Sequence, residues 1–182
     1  MEPKVILDAK ELKILLQRLV CELIENHGDF SHTVLIGIQP RGVYLLDRIL
    51  SILKNDFGIA SIQSGVLDIT FFRDDFRRRD TPLSANLTAI EVLLENKRVV
   101  LIDDVLFTGR SIRAALTAIE HYGRPKDIEL LVLIDRRFSR DLPIQPSYKG
   151  KQVDAFDNEK IKVKWDDKGL LKQVYVQLIE ED

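Results

Sequence analysis

Two adjacent carboxylates and a short polar turn stand close together in the segment Val99–Ser111, VVLIDDVLFTGRS. An apolar run leads into Asp103 and Asp104, and Phe107-Thr108-Gly109-Arg110-Ser111 follows. A turn of that composition joins a strand to a helix N-terminus, where several backbone N–H groups lack intrahelical partners. With the helix dipole, those groups suit an anion such as phosphate. Gly109 permits a tight turn, and the hydroxyls of Thr108 and Ser111 add donors. Neighbouring carboxylates beside an anion site repel the anion unless they meet donors or a cation. Ribose hydroxyls are such donors and Mg²⁺ is such a cation. A phosphate at the turn and a diol one step back describe a ribose 5-phosphate.

Aspartates often end strands, and Thr-Gly often opens helices. The combined pattern, however, should arise by chance on the order of once in a million chains of this length. The two halves are therefore read as one site. A Walker loop is excluded by the lack of GxxxxGK[ST], and a dinucleotide fingerprint by the lack of GxGxxG.

The elements that must hold this site are legible from periodicity. Asp8 to Asn26 reads as a helix, with Asp8 and Glu11 as a capping box and Gly28 beyond its end. Thr33 to Ile38 is apolar enough for a buried parallel strand. Val43 to Asn55 reads as a second helix, and Ile62 to Phe72 as a longer strand with Leu67, Ile69 and Phe71 on one side. Residues 73–88 have no apolar period and are expected to be a mobile lid. Arg98 to Asp103 and Ile128 to Ile134 are further strands, with a helix from Ser111 to Tyr122 between them. IKVKW and VYVQL around DDKG predict a C-terminal antiparallel hairpin. Alternating strands and helices imply an α/β fold with a doubly wound, mostly parallel sheet, whose ligands lie at the carboxyl strand ends.

The chain has 182 residues, 45% of them hydrophobic and 31% charged, with a net charge of −2. This fits one domain over residues 1–182 with a substantial core, and not a generic polyanion binder. No apolar run reaches about 18 residues, so a soluble, cytoplasmic protein without membrane contact is expected. Cys21, the single cysteine, is expected to be a small buried apolar residue.

VVLIDDVLFTGRS resembles the phosphoribosyl-pyrophosphate (PRPP) signature of the type I phosphoribosyltransferases. Within that family, GIQPRG, DITFFRDD, the Gly-Arg-Pro at 123–125, DRRFSRDLPI and the later Tyr148-x-Gly-Lys resemble the bifunctional pyrimidine-operon attenuation regulators that are also uracil phosphoribosyltransferases. The resemblance runs from roughly Val5 to Lys151. It implies the reaction of uracil with PRPP to give UMP and pyrophosphate, with Mg²⁺ as cofactor. It assigns the ribose hydroxyls to Asp103 and Asp104, with an indirect role at the metal. The 5′-phosphate falls to Thr108, Gly109, Arg110 and Ser111. Arg41 and Gly42 match the pyrophosphate loop, and Arg73, Asp74 and Asp75 open the lid, whose Arg77–Arg79 run either clamps pyrophosphate or is solvated.

Asp135 and Arg136 are placed near the base or the metal. Phe107 stands where purine-specific members usually carry an Asp, and an aromatic ring cannot accept a proton, which favours a pyrimidine. The regulators also bind a messenger RNA hairpin, more tightly with UMP in the nucleotide site. Arg18, Arg136, Arg137, Arg140, Lys149 and Lys151 are the candidate RNA contacts. Gln39, Pro40, Gln145 and Cys21 replace residues that are usually basic or polar there, which bears on RNA binding more than on nucleotide binding. The alternative is thus a UMP-responsive RNA-binding regulator with weak or no catalysis, or a nucleotide sensor. A homodimer or higher homo-oligomer is the family expectation.

Overall fold

The computed structural model describes residues 4–74, 87–138, 140–155, 159–165 and 171–178. Its elements run β1 (Lys4–Leu7), α1 (Ala9–His27), β2 (Thr33–Ile38), α2 (Arg41–Phe57), β3 (Gln63–Leu67), β4 (Arg98–Leu106), α3 (Arg110–Ile119), β5 (Asp127–Arg137), β6 (Tyr148–Asp154), β7 (Glu159–Trp165) and β8 (Leu171–Leu178). The central sheet has five parallel strands in the order β3-β2-β4-β5-β6. A separate three-stranded antiparallel sheet has the order β1-β8-β7.

The doubly wound expectation holds, and its geometry sets the site. From β2 the chain crosses through α2 to β3 on one side, then returns to place β4 on the other side of β2. The strand order therefore reverses between β2 and β4, the switch point where such sheets leave a crevice at their carboxyl ends. One sheet face is covered by α1, α2 and the small sheet around Leu35, Val100, Ile102, Leu131 and Leu133. The opposite face meets α3 through Ile112, Ala115 and Ile119 over Val99, Leu101 and Val132.

Helix α1 starts where its capping box predicts. Glu11 N–H donates to Asp8 Oδ1 at 2.8 Å, and Asp8 N–H donates to Glu11 Oε2 at 2.9 Å. Its inward face is Leu12, Leu15, Leu16, Leu19, Val20 and Leu23. Cys21 is exposed, against expectation, because it lies on the solvent side of that stripe.

Four further expectations are corrected. The long strand at 62–72 is only Gln63–Leu67, because Asp68 Oδ1 accepts from the N–H and hydroxyl of Thr70 at 2.9 and 2.6 Å. That local turn leads into a 3-10 turn at Thr70–Phe72, which leaves Phe71 exposed. Helix α2 starts two residues early, so Arg41 and Gly42 lie in its first turn. The C-terminal hairpin gains a third strand, since β1 pairs with β8. Strand β6 was not anticipated; its residues are mostly polar, as suits an edge strand.

Candidate active site

Strand β4 continues through both aspartates to Leu106, so they lie within the sheet edge and not beyond it. Asp104 is buried, and Arg41 from the first turn of α2 brings Nη1 to 3.8 Å from Asp104 Oδ2. Asp104 N–H donates to Asp103 Oδ1 at 2.9 Å. The two elements meet at Gly42, where a Cβ would stand 2.2 Å from the Ile102 carbonyl oxygen. The Gln39–Pro40 peptide just before Arg41 is cis.

The electrostatics of this pair are those of a site awaiting a ligand. Burial, and then the adjacent charge of Asp104, pushes the Asp103 carboxyl well above the ordinary carboxylate range. Burial raises Asp104 as well, against the lowering influence of Arg41. Asp104 Oδ2 is buried with no hydrogen-bond partner. Such an oxygen is costly unless a donor or cation completes it. The all-oxygen donor set fits a hard cation such as Mg²⁺. Among the described residues no three acidic, His or Cys side chains cluster to hold a metal. A magnesium ion here would therefore draw its remaining ligands from phosphate oxygens and water, as this ion often does.

The turn after β4 ends at Gly109, with φ +91°, and α3 begins at Arg110; Gly109 has no side chain to cap the helix, and only a long bond from Arg110 N–H to Thr108 Oγ1, at 3.4 Å, engages its first turn. The N–H groups of that turn lie beside Thr108 and Ser111, the residues that the sequence reading expects to hold an anion. The Arg110 side chain is otherwise engaged. Its Nε donates to Asp141 Oδ2 at 2.9 Å, and its Nη1 pairs with Asp74 Oδ2 at 2.5 Å. Arg113 Nη2 also reaches Asp74, at 3.0 Å. Arg110 is thus held in place as a structural cation, and the groups of the turn left open to a ligand are backbone N–H groups and hydroxyls.

Arg73 and Asp74 lead from the 3-10 turn to that ion-pair cluster. On the other side, Gln39 Nε2 donates to the Leu87 carbonyl at 2.7 Å. The greater part of the expected lid, including Asp75 and Arg77–Arg79, lies outside the described residues.

Phe107 is exposed, and the guanidinium of buried Arg136 sits 4.0 Å from its ring centroid. Asp135 is buried at the end of β5, where Arg140 pairs with Oδ1 and Gln152 Nε2 donates to Oδ2 at 3.1 Å. The structure thus gathers Arg41, Gly42, Asp103, Asp104 and residues 107–111 at the carboxyl ends of β2 and β4, with Asp135 and Arg136 on neighbouring β5.

The candidate RNA contacts are more dispersed. Arg18 on α1 pairs with Glu22 and donates to the carbonyls of Lys149 and Gly150. Arg137 forms a two-pronged pair with Asp154. Lys151 Nζ donates to the Ile6 carbonyl at 3.1 Å. Arg137, Phe138, Arg140, Lys149 and Gln152 line one cleft of about 690 Å³ beyond Asp135.

The sequence reading missed Asp141 and Gln152. Asp141 meets Arg110 across 31 positions, and Gln152 meets Asp135 across 17. No local spacing signals such partners.

Residues 4–168 match the phosphoribosyl transferase domain family. The chain is 44% identical over 158 residues to the bifunctional protein PyrR of Microcystis aeruginosa, covering 87% of this chain and 88% of that one. It is 40% identical over 179 residues to the bifunctional protein PyrR of Macrococcus caseolyticus, covering 97% of this chain and all of the relative. Among solved structures, the hypoxanthine phosphoribosyltransferase of Trypanosoma cruzi superposes with a TM-score of 0.70 at 15% identity, over 97% of each chain. At that identity the likeness concerns the fold.

Proposed function

The chain belongs to the phosphoribosyltransferase family, in its PyrR branch, and on that premise we propose that it transfers the ribosyl 5-phosphate of PRPP to uracil. The C1′–O bond to pyrophosphate breaks, a bond from C1′ to uracil N1 forms, and N1 gives up its proton. The products are UMP and pyrophosphate. One observation carries this reading: the desolvated Asp103–Asp104 pair at the end of β4, with Arg41 3.8 Å from Asp104, is followed directly by the turn that opens α3.

As pyrophosphate leaves, C1′ becomes cation-like. Carboxylates that hold the 2′ and 3′ hydroxyls fix the ring and favour that positive charge. Asp103 and Asp104 take this role. The ribose hydroxyls in turn supply donors to carboxylate oxygens that the fold leaves desolvated. Arg41 offers its guanidinium fork to pyrophosphate oxygens. Thr108, Gly109 and Ser111 hold the 5′-phosphate through backbone N–H groups and hydroxyls. Asp103 and Asp104 are the carboxylates that would hold a Mg²⁺ ion, which would supply charge neutralisation of the departing pyrophosphate. Phe107 under Arg136 presents a flat apolar surface with no proton acceptor, which suits a pyrimidine ring.

A second reading, binding of an RNA hairpin in response to UMP, is favoured by the cleft lined by Arg137, Arg140 and Lys149, with Phe138 exposed beside it. The relatives' designation as bifunctional agrees with both readings.

The test is formation of UMP from uracil and PRPP with Mg²⁺, run against orotate, hypoxanthine and guanine, with Asp104→Asn as control. Uracil-selective turnover that falls by about a hundredfold or more in Asp104→Asn is expected. Absence of turnover with every base, despite UMP binding, would overturn the enzyme reading in favour of a nucleotide-responsive regulator.

A further inference from the structure

The connection from β5 to β6 runs back across the turn that precedes α3 and engages it with three consecutive residues. The Arg140 guanidinium donates to the Phe107 carbonyl and to Asp135 Oδ1. Asp141 N–H and Leu142 N–H both donate to the Thr108 carbonyl, at 3.0 and 3.2 Å. The Asp141 carboxylate receives Arg110 Nε. The side chains of Leu142 and Ile144 close against Gly109, where a Cβ would meet them at 3.4 and 3.2 Å.

A trans peptide is planar, with its N–H pointing opposite to its C=O. Holding the Phe107 carbonyl therefore orients the Thr108 N–H, and holding the Thr108 carbonyl orients the Gly109 N–H. In both cases the N–H points away from the 140–142 segment. The foundation is firm. The Asp135 side chain is 5% exposed and Arg140 23%, so this ion pair is largely withdrawn from water. Gln152 from β6 occupies the second Asp135 oxygen.

We propose that Arg140, Asp141 and Leu142, anchored through Asp135 and Gln152, are a brace that aims the N–H groups of Thr108 and Gly109 at a ligand phosphate. Arg140 and Asp141 are then positioning residues, setting phosphate affinity without touching the phosphate. Arg140 has this structural duty whatever else its cleft binds. The inference rests on the phosphate role proposed above for the turn, and the test separates the two.

Arg140→Met keeps the side-chain length and removes every donor. The double variant Asp135→Asn/Arg140→Met also removes the buried carboxylate that the single change would orphan, which protects the fold. Exchange is measured on both variants and ligand binding on Arg140→Met, because Asp135 is itself placed near the base. Amide hydrogen exchange at Asp141 and Leu142, whose N–H groups donate to the Thr108 carbonyl, should quicken by about tenfold or more in the ligand-free protein, with the α1 amides unchanged. Calorimetric Kd values for UMP should rise by about ten- to a hundredfold, while those for uridine, which lacks the phosphate, stay within about twofold. Unchanged exchange in both variants would overturn the brace, as would equal losses for UMP and uridine, which mark general distortion. If the unaltered protein fails to bind UMP, the phosphate reading of the turn falls, and faster exchange at Asp141 and Leu142 still decides for the brace.

Discussion

Asp103 and Asp104 are expensive side chains in the ligand-free protein. Both are desolvated, they repel one another, and Asp104 Oδ2 has no hydrogen-bond partner, only the Arg41 guanidinium at 3.8 Å. The sign of the resulting pH dependence is definite. A carboxyl whose folded pKa is raised above its unfolded value favours folding when protonated, and that contribution is lost as pH rises through the folded pKa. At neutral pH the pair therefore costs stability. Asp103→Asn keeps the oxygen that accepts from Asp104 N–H while removing one charge. Thermal unfolding of this variant should lie above that of the parent by about 2–4 °C at pH 7, equivalent to about 1 kcal/mol. The gap should shrink towards pH 4, where the parent's carboxyls protonate. The same variant should lose turnover with PRPP. A lower Tm at pH 7 would contradict this account of the pair.

Helix α2 owes its position to one missing methyl group. Gly42 lets its first turn approach the β4 backbone closely enough to bring Arg41 to Asp104. A Cβ there would overlap the Ile102 carbonyl, a backbone atom that cannot step aside without disturbing the sheet. Gly42→Ala should lower stability by about 1–3 kcal/mol, as overpacking of a close contact does. It should weaken PRPP binding by a further margin, because Arg41 moves with the helix. Chemical denaturation with a parallel PRPP titration checks both parts. The family resemblance marks Gly42 as a pyrophosphate-loop residue; the structure adds that its smallness seats the helix.

The edge of the molecule opposite the candidate site is tied together by His27. This buried residue at the end of α1 contacts Thr33 Oγ1 of β2 at 3.0 Å, Glu129 Oε2 of β5 at 2.9 Å and the Tyr148 hydroxyl of β6 at 3.1 Å. Arg98 of β4 holds the other Glu129 oxygen at 2.8 Å and also pairs with Asp127. One tautomer accommodates all three contacts: Nε2–H is shared between Glu129 and the Tyr148 hydroxyl oxygen, whose own O–H donates to Glu129 Oε2, and Nδ1 accepts from the Thr33 hydroxyl. Burial lowers the His27 pKa from its ordinary 6.5, more than the Glu129 charge raises it, and Arg98 lowers it further. The folded state thus keeps His27 neutral where the unfolded chain takes up a proton, so its contribution is lost as pH falls below about 6.5. Relative to His27→Gln, the parent should lose Tm progressively between pH 7.5 and 5.5. Parallel Tm curves across that range would show that His27 does not titrate differently on folding. Among the described residues, no helix is long and apolar enough to cross a membrane.

What was legible in the residues alone is what backbone stereochemistry imposes locally. The Asp8–Glu11 box starts α1, the apolar runs are buried parallel strands, and Gly109 takes the positive φ that a strand-to-helix turn requires. The proposed diol and phosphate sites at Asp-Asp and Thr-Gly-Arg-Ser could be read because their chemistry is carried within nine consecutive residues. Other features depend on which distant surfaces meet. The recruitment of β1 to the hairpin, the added edge strand β6, the diversion of Arg110 to Asp74 and Asp141, and the grip of Arg140 on the Phe107 carbonyl all join residues far apart in the chain. Local propensity contains no term for such partners. They are selected when the two faces of the sheet are covered and the charges left at its edge must find counterparts.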